Sequence, residues 1–192
     1  MATDMLTSNV VAAKPYGGGI YWAPKGTALP TDTSTALAAA YLPLGYISSD
    51  GIQPEHSAAS TNITAFGGDI VAVLDGENNR AFSYTLIEVF SANVNKFIFG
   101  TAQVTATAKV AGTSNSKLAV TDKAEPCEDG VLVFDLKHGA KRRRIVLPSP
   151  KSVITGEGPF QDTALQSYSV TSTAIKDSSG VRVYDYSEQD DK

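Results

Sequence analysis

Few residues in this chain have side chains suited to acid–base or metal chemistry, and their spacing does not favour it. The two histidines, His56 and His138, lie far apart and have no cysteine or carboxylate at a spacing characteristic of zinc sites. Asp75 and Glu77 could form a catalytic carboxylate pair, but their segment has the composition of a turn, where Asp serves backbone hydrogen bonding. The sequence therefore predicts no catalytic residues, no metal ligands and no cofactor site, and indicates a protein that is not an enzyme.

A cysteine nucleophile is also disfavoured. Cys127 is the single cysteine, which excludes an intramolecular disulfide. Its neighbours Glu125, Glu128 and Asp129 are acidic, and nearby negative charge raises the pKa of a thiol and suppresses the reactive thiolate. Cys127 is therefore predicted to be a spectator.

A run of three glycines near the start of the chain could be a phosphate-binding loop. Neither a Lys-Ser/Thr pair nor a predicted helix follows Gly17, Gly18 and Gly19, and the dinucleotide-binding pattern is absent. The run is therefore interpreted as a flexible linker at the end of an extended N-terminal arm, residues 1–19. This arm has little core of its own, so we expect a neighbouring molecule to order it.

Residues 141–144, Lys-Arg-Arg-Arg, are the strongest cluster of positive charge and could contact phosphates. On a strand, however, alternate side chains face opposite ways, so only two of the four, such as Arg142 and Arg144, share a face. The chain as a whole has 16 Lys and Arg against 20 Asp and Glu, a formal charge of −4, which disfavours tight nucleic-acid binding. A solvated or interface-pairing strand is the favoured interpretation.

Length and composition predict one compact domain. The chain has 192 residues, of which 42% are hydrophobic and 19% charged, close to ordinary globular usage. The start lacks the features of a signal peptide, and no apolar run approaches the length of a membrane span. We therefore expect a protein made in the cytosol, without a membrane anchor.

Alternating hydrophobicity and frequent turn signals predict a mainly β domain over residues 20–186. The predicted strands cover residues 41–47, 70–74, 80–87, 104–110, 117–121, 131–136, 141–147, 152–155, 165–175 and 181–186. Residues 75–79 and 137–140 are predicted to be turns between paired strands. Apolar residues at helical spacing from Val89 to Ile98, followed by Gly100, predict one helix.

Three further segments have predicted roles outside this regular structure. Residues 52–69 are small, polar and aperiodic, and are predicted to form a long loop of the kind that is usually functional or mobile, with Phe66 as its candidate contact residue. Trp22 is predicted to pack in the core or at an interface. Residues 187–192 form a charged, acidic tail.

Two segments near the start carry a resemblance to a known family. Residues 20–32, IYWAPKGTALPTD, followed by residues 44–52, LGYISSDGI, resemble the opening of the major tail proteins of phages of actinobacteria. The strand ending in TLIE (residues 85–88) and the helix closing on FIFG (residues 97–100) are similar to a strand-helix junction of the same family. The resemblance covers most of residues 20–186 but neither the arm nor the acidic tail.

This resemblance implies a β-sandwich or barrel-like fold with one flanking helix. It further implies hexameric rings that stack into the non-contractile tail tube of a virion, assembled in the host cytoplasm. The partners would be other copies of the chain, a tape-measure protein in the lumen, and the tail-terminator and tail-tip proteins. DNA would pass through without specific binding, so we expect an acidic or neutral lumen with residues 141–144 turned outward or paired with carboxylates at interfaces.

Two alternatives come from other classes of protein. A phage head-decoration protein, or another non-enzymatic β-sandwich binding module, would share the β-rich composition. A tail-associated glycan hydrolase would need two convergent carboxylates, and the sequence selects no such pair.

Overall fold

The described part of the chain, residues 14–111 and 115–189 of a computed structural model, is mainly β, which confirms the predicted fold class. Its strands are β1 (Lys14–Pro24), β2 (Leu42–Pro43), β3 (Ile47–Thr64), β4 (Ile70–Leu86), β5 (Val104–Thr107), β6 (Lys117–Val120), β7 (Gly130–His138), β8 (Lys141–Leu147), β9 (Pro150–Glu157), β10 (Tyr168–Ala174) and β11 (Tyr184–Gln189). Its helix is α1 (Ala92–Phe99), and a 3₁₀ turn follows at Thr101–Gln103.

These strands form two large antiparallel sheets and one small one. The five-stranded sheet has the order β11-β8-β7-β1-β2, and the four-stranded sheet has the order β3-β4-β10-β9. β5 and β6 form a separate two-stranded sheet. Because β1 pairs with β7 and β4 with β10, each large sheet joins segments that are far apart in sequence.

The main core lies between the two large sheets. The ring of Phe134, on the five-stranded sheet, lies 5.2 Å from that of Phe82 and 5.8 Å from that of Tyr84, both on the four-stranded sheet. α1 contributes Phe97 and other apolar residues to the same cluster. Since each fully buried large apolar side chain contributes about 1.5–3 kcal/mol, this layer is the main source of stability.

The other face of the five-stranded sheet is covered by residues 25–41, which we call the strap. Val131, Val133 and Val146 point to this side because side chains alternate along a strand, and they form a second buried cluster with Tyr41. The Tyr41 hydroxyl donates to the carbonyl of Ala28, 2.8 Å away, within the strap. The central part of the five-stranded sheet, in β7 and the second half of β8, is therefore buried on both faces.

The long loop predicted for residues 52–69 is wrong. These residues continue β3, which pairs with β4 from Ile47↔Leu86 out to Thr64↔Ile70. The turn predicted for residues 75–79 is also wrong, because β4 runs through that segment without a break. Both faces of this ribbon are exposed, so its sequence has no alternation of apolar and polar residues to mark it as a strand.

The reversal of this hairpin lies at residues 65–69. The amide of Ala65 donates to the carbonyl of Asp69 at 2.8 Å, and the amide of Gly68 donates to the carbonyl of Ala65 at 3.0 Å. Gly67 and Gly68 have φ values of 114° and 97°, which residues with a Cβ rarely adopt. The two glycines therefore fix the position of the tip.

The predicted arm and tail also differ from the structure. Residues 14–19 belong to β1, where Lys14 pairs with Lys137 before an irregularity between Pro15 and Ile20; residues 1–13 lie outside the described residues. At the other end, β11 extends to Gln189 and pairs with β8, and residues 190–192 lie outside the described part. The region predicted as a strand over 41–47 contains only the short β2 and the first residue of β3.

Other predicted elements are confirmed. β7 and β8 form the hairpin predicted around residues 137–140, and β5 pairs with β6. The helix is shorter than predicted, and it ends at Gly100 as expected: Gly100 has φ 92° and its amide donates to the Lys96 carbonyl at 3.0 Å.

Candidate assembly surface

A long two-stranded ribbon projects from the body of the molecule. Every residue from 53 to 79 is exposed, and we call this segment the protruding hairpin. Its strand over residues 53–64 has a length of roughly 40 Å at the usual rise of 3.3 Å per residue. An isolated two-stranded ribbon is marginally stable in water, so such a long one indicates a partner surface.

The distal half of the protruding hairpin is apolar. Phe66 at the tip is fully exposed, and its neighbours along both strands include Ile63, Ile70, Val71, Val73 and Leu74, each more than two-fifths exposed. Monomeric proteins rarely expose so many large apolar side chains on one short segment without a binding role. The tip is therefore the strongest candidate for a contact surface, and it contains the residue singled out from the sequence.

The proximal half of the protruding hairpin is polar and anchored to the body. Arg182, just before β11, donates to the Asn78 carbonyl and, at 3.2 Å, to its side-chain oxygen. His56 Nε2 lies 3.0 Å from the same side-chain oxygen. Asp75 and Glu77 are exposed on β4. The Arg182 bonds therefore tie the base of the hairpin to the body, and the His56 contact links its two strands.

A second feature, which we call the basal cavity, lies at the body end of the β3–β4 hairpin, beyond the protruding segment. It has a volume of about 350 Å³ and is lined by Pro15 and Gly19 of β1, by Pro43 and residues 45–47, and by Glu88. Tyr46 is three-quarters exposed at this site. The amide of Tyr46 donates to the Glu88 carboxylate at 2.8 Å, which holds that carboxylate against the chain.

Two glycines shape the basal cavity. Gly19 and Gly45 have φ values of 72° and 74°, which favour glycine. A Cβ on Gly45 would lie 2.2 Å from the Glu88 carboxyl carbon, and one on Gly19 would lie 2.8 Å from the Pro15 Cβ. Sequence reasoning selected Gly19 but missed the rest of the site, because its walls come from three separate segments of the chain.

The cationic run of β8 is neutralised largely within the chain. Arg144 is buried and donates to the Asp135 carboxylate at 2.7 Å and to the carbonyls of Asp32 and Thr35, each at 2.9 Å. The expectation of a solvated or intersubunit role is therefore wrong for Arg144, which instead fastens the strap to the sheet. Arg142 is half-buried and, with Arg144, lines a cavity of about 400 Å³ beneath the strap.

Arg143 faces the opposite side of β8 and pairs with β11. Its Nε and Nη2 donate to the two carboxylate oxygens of Asp185, at 2.9 and 2.6 Å. This two-point hydrogen bond raises the pKa of the Arg143 guanidinium. The Arg143 side chain is half exposed to solvent, so this ion pair adds little to the free energy of unfolding.

The remaining glycines and the tryptophan have structural positions. Gly17 and Gly18 lie in β1. Trp22 is buried in the main core, with its ring centroid 6.2 Å from that of Phe97. Gly130 lies beside it, where a Cβ would approach the Trp22 Nε1 to 2.5 Å. Trp22 was predicted to pack in the core or at an interface, and within the chain it packs in the core.

Cys127 is buried, and burial is the main cause that raises the pKa of its thiol to about 11. Only about one thiol in a thousand would be ionised at pH 8 in the folded protein. We therefore expect no reaction with a disulfide reagent at pH 8 until urea unfolds the chain, when one thiol reacts per chain. Rapid labelling of the folded protein would contradict this.

The same shift predicts a pH dependence of stability. The folded state keeps the Cys127 proton to a higher pH than the unfolded state, whose thiol titrates near 9, so stability should fall as pH rises between 9 and 11. Cys127→Ala should lose this part of the slope in urea titrations across that range.

Within residues 14–111 and 115–189, no group of three or more His, Cys, Asp or Glu side chains could hold a metal ion. No helix in the same residues is long and apolar enough to cross a membrane. No protein-family model matches the chain, and no curated protein matches it significantly. The candidate functional surfaces of the described residues are the protruding hairpin, the sheet edges and the basal cavity.

Proposed function

We propose that this protein is a structural subunit that assembles as stacked hexameric rings into the tail tube of a long-tailed, non-contractile phage. The observation that carries the proposal is the protruding hairpin, a ribbon exposed from residue 53 to residue 79 with an apolar tip. A surface of this kind requires a partner, and a repeated subunit supplies one. The resemblance of residues 20–32 and 44–52 to major tail proteins supports the same assignment.

The four-stranded sheet offers a means of closing a ring. Its edge strands are β3 and β9, and the β9 edge exposes Val153 and Ile154. Backbone groups on edge strands pair readily with another chain, and closed rotational symmetry turns that tendency into a ring. Six such sheets joined edge to edge exceed the 16–18 strands at which a β-barrel already leaves an aqueous channel.

The outer face of the four-stranded sheet is suited to line this channel. Hydroxyl groups pair across its strands: Ser83 with Thr171 at 2.9 Å and Thr85 with Ser169 at 3.2 Å. Ser83 also donates to the Glu55 carboxylate at 2.9 Å. Lys151, on the same face, is neutralised by Asp129 at 3.0 Å. A surface lined by small hydroxyl side chains has few cationic groups that could bind DNA phosphates and release their counterions. The genome could therefore slide through the channel.

The distribution of charged residues is consistent with a channel lined by the four-stranded sheet. Arg143 and Arg144 lie on the five-stranded sheet and are paired with Asp185 and Asp135 of the same chain. A ring of six subunits would carry six times the formal charge of −4. The bore is therefore proposed to be neutral to acidic, with the cationic strand placed away from it.

Negative-stain microscopy of the purified protein over a range of concentrations tests this proposal. We expect hollow tubes of uniform diameter, with six-fold symmetry in end views and weak duplex-DNA binding at physiological salt. A protein that stays monomeric at every concentration would contradict the proposal and favour the decoration or binding module. A cationic bore in a high-resolution map would contradict the proposed orientation of the sheets.

A further inference from the structure

We propose that Phe66 of each chain inserts into the basal cavity of a second copy in the next ring. This inference rests on the proposed function, because it assumes that copies of the chain stack. It joins two surfaces that are unpartnered in the described chain: a fully exposed aromatic side chain at the tip, and a cavity at the base of the same hairpin.

The basal cavity has apolar walls that suit an aromatic side chain, and the Glu88 carboxylate on its rim already accepts a hydrogen bond from the Tyr46 amide. Its volume of about 350 Å³ accommodates a benzyl group, and Pro15, Pro43 and Ile47 supply apolar walls. The two cavities beneath the strap are lined in part by the buried, charged Arg144. An apolar ring placed in either cavity would displace water from this charged side chain without replacing its hydrogen bonds, which is unfavourable.

The positions of tip and cavity determine the kind of assembly. They lie at opposite ends of one hairpin, so insertion of one tip into the next cavity is a head-to-tail contact that repeats without closing. Ile47 of the cavity pairs with Leu86, and β4 runs from Leu86 to Ile70 beside the tip. The 19 residue steps from Ile47 of the cavity to Phe66 at the tip span at most about 65 Å.

A limit on the tube repeat follows from this distance. If the tip of one copy occupies the cavity of the next, the two cavities are separated by the tip-to-cavity distance of a single chain. The axial rise between rings therefore cannot exceed about 65 Å, and any tilt of the hairpin shortens it. The length of the β3–β4 hairpin thus sets an upper limit on the ring spacing.

Photo-crosslinking in assembled tubes tests the docking. Phe66→p-benzoylphenylalanine keeps an aromatic side chain at the tip, and mixing it as a minority with wild-type chains lets tubes form even where the variant alone does not. On irradiation we expect adducts that map by mass spectrometry to Pro15, Pro43 or residues 45–47 of another chain. Phe160→p-benzoylphenylalanine, at another exposed aromatic position of the chain, should give no such adducts.

Measurements of polymerisation are the second test of the docking. Phe66→Ala should raise the critical concentration for tube formation at least tenfold, while Phe160→Ala should leave it unchanged. Tubes whose adducts lie elsewhere, or whose axial rise exceeds the limit, would overturn the docking but leave the tube function intact. Adducts at the cavity within closed dimers would overturn the head-to-tail arrangement, and a wild-type protein that forms no tubes would overturn both proposals.

Discussion

Replacing residues 59–77 with Asn-Gly is expected to give a folded protein that forms no tubes. Ala58 and Asn78 face each other in the ladder, so a two-residue turn can join them directly, and Asn-Gly suits such a turn. The contacts of Arg182 and His56 with Asn78 remain. The deletion removes Phe66 and the apolar distal half, which contribute nothing to the described core.

The deletion variant is expected to keep the stability of the wild-type fold and to lose tube formation. Because the deleted residues are exposed, the free energy of unfolding should change by no more than about 1 kcal/mol. Light scattering should show a monomer or a single ring at concentrations where the wild-type protein forms tubes. Phe160→Ser, which alters an exposed aromatic residue elsewhere, is the matched control. Persistence of normal tubes after the deletion would contradict the role given to the hairpin.

The largest loss of stability is expected for Arg144→Met. This change leaves the buried Asp135 carboxylate without its partner and removes two hydrogen bonds that hold the strap. Breaking one side of a buried ion pair typically costs about 3–5 kcal/mol. Arg143→Met, one residue away, should cost less than about 1 kcal/mol because its pair with Asp185 is much more exposed.

Urea titrations of these variants, with the double variant Arg144→Met/Asp135→Leu, complete the test. If the penalty arises from the unpaired carboxylate, removing Asp135 as well should recover a large part of the lost stability. Equal effects of Arg143→Met and Arg144→Met would contradict the buried role of Arg144. A double variant no more stable than Arg144→Met would show that the strap contacts dominate.

Sequence patterns predicted most strands of the body but missed β1, which is largely buried, and the outer half of β3, which is exposed. The hairpin of β7 and β8 and the helix end at Gly100 carry clear alternation and capping signals, and both are present. The outer half of β3 has no buried face, so its small polar residues resembled a loop. Phe66 was selected as a contact residue, although the element that presents it was misassigned.

Contacts could be predicted from the sequence only between strands that are neighbours in the chain. Asp135 and Arg144 are direct cross-strand partners in the hairpin that the sequence predicted, so counting back from its turn would have identified the ion pair. The basal cavity could not be found in this way. Its walls, from Pro15 to Glu88, meet only through long-range sheet pairing that local patterns do not encode.

The pairing of β1 with β7 also has a consequence for how the chain is made. Ile20 faces Phe134 across the sheet, so β1 cannot be completed during synthesis until more than a hundred further residues have left the ribosome. The hairpin of β3 and β4, in contrast, closes locally and exposes its apolar tip early. Non-local pairing slows folding, and exposed apolar segments on incomplete chains favour aggregation. Slow translation or low temperature during expression should therefore increase the yield of assembly-competent protein.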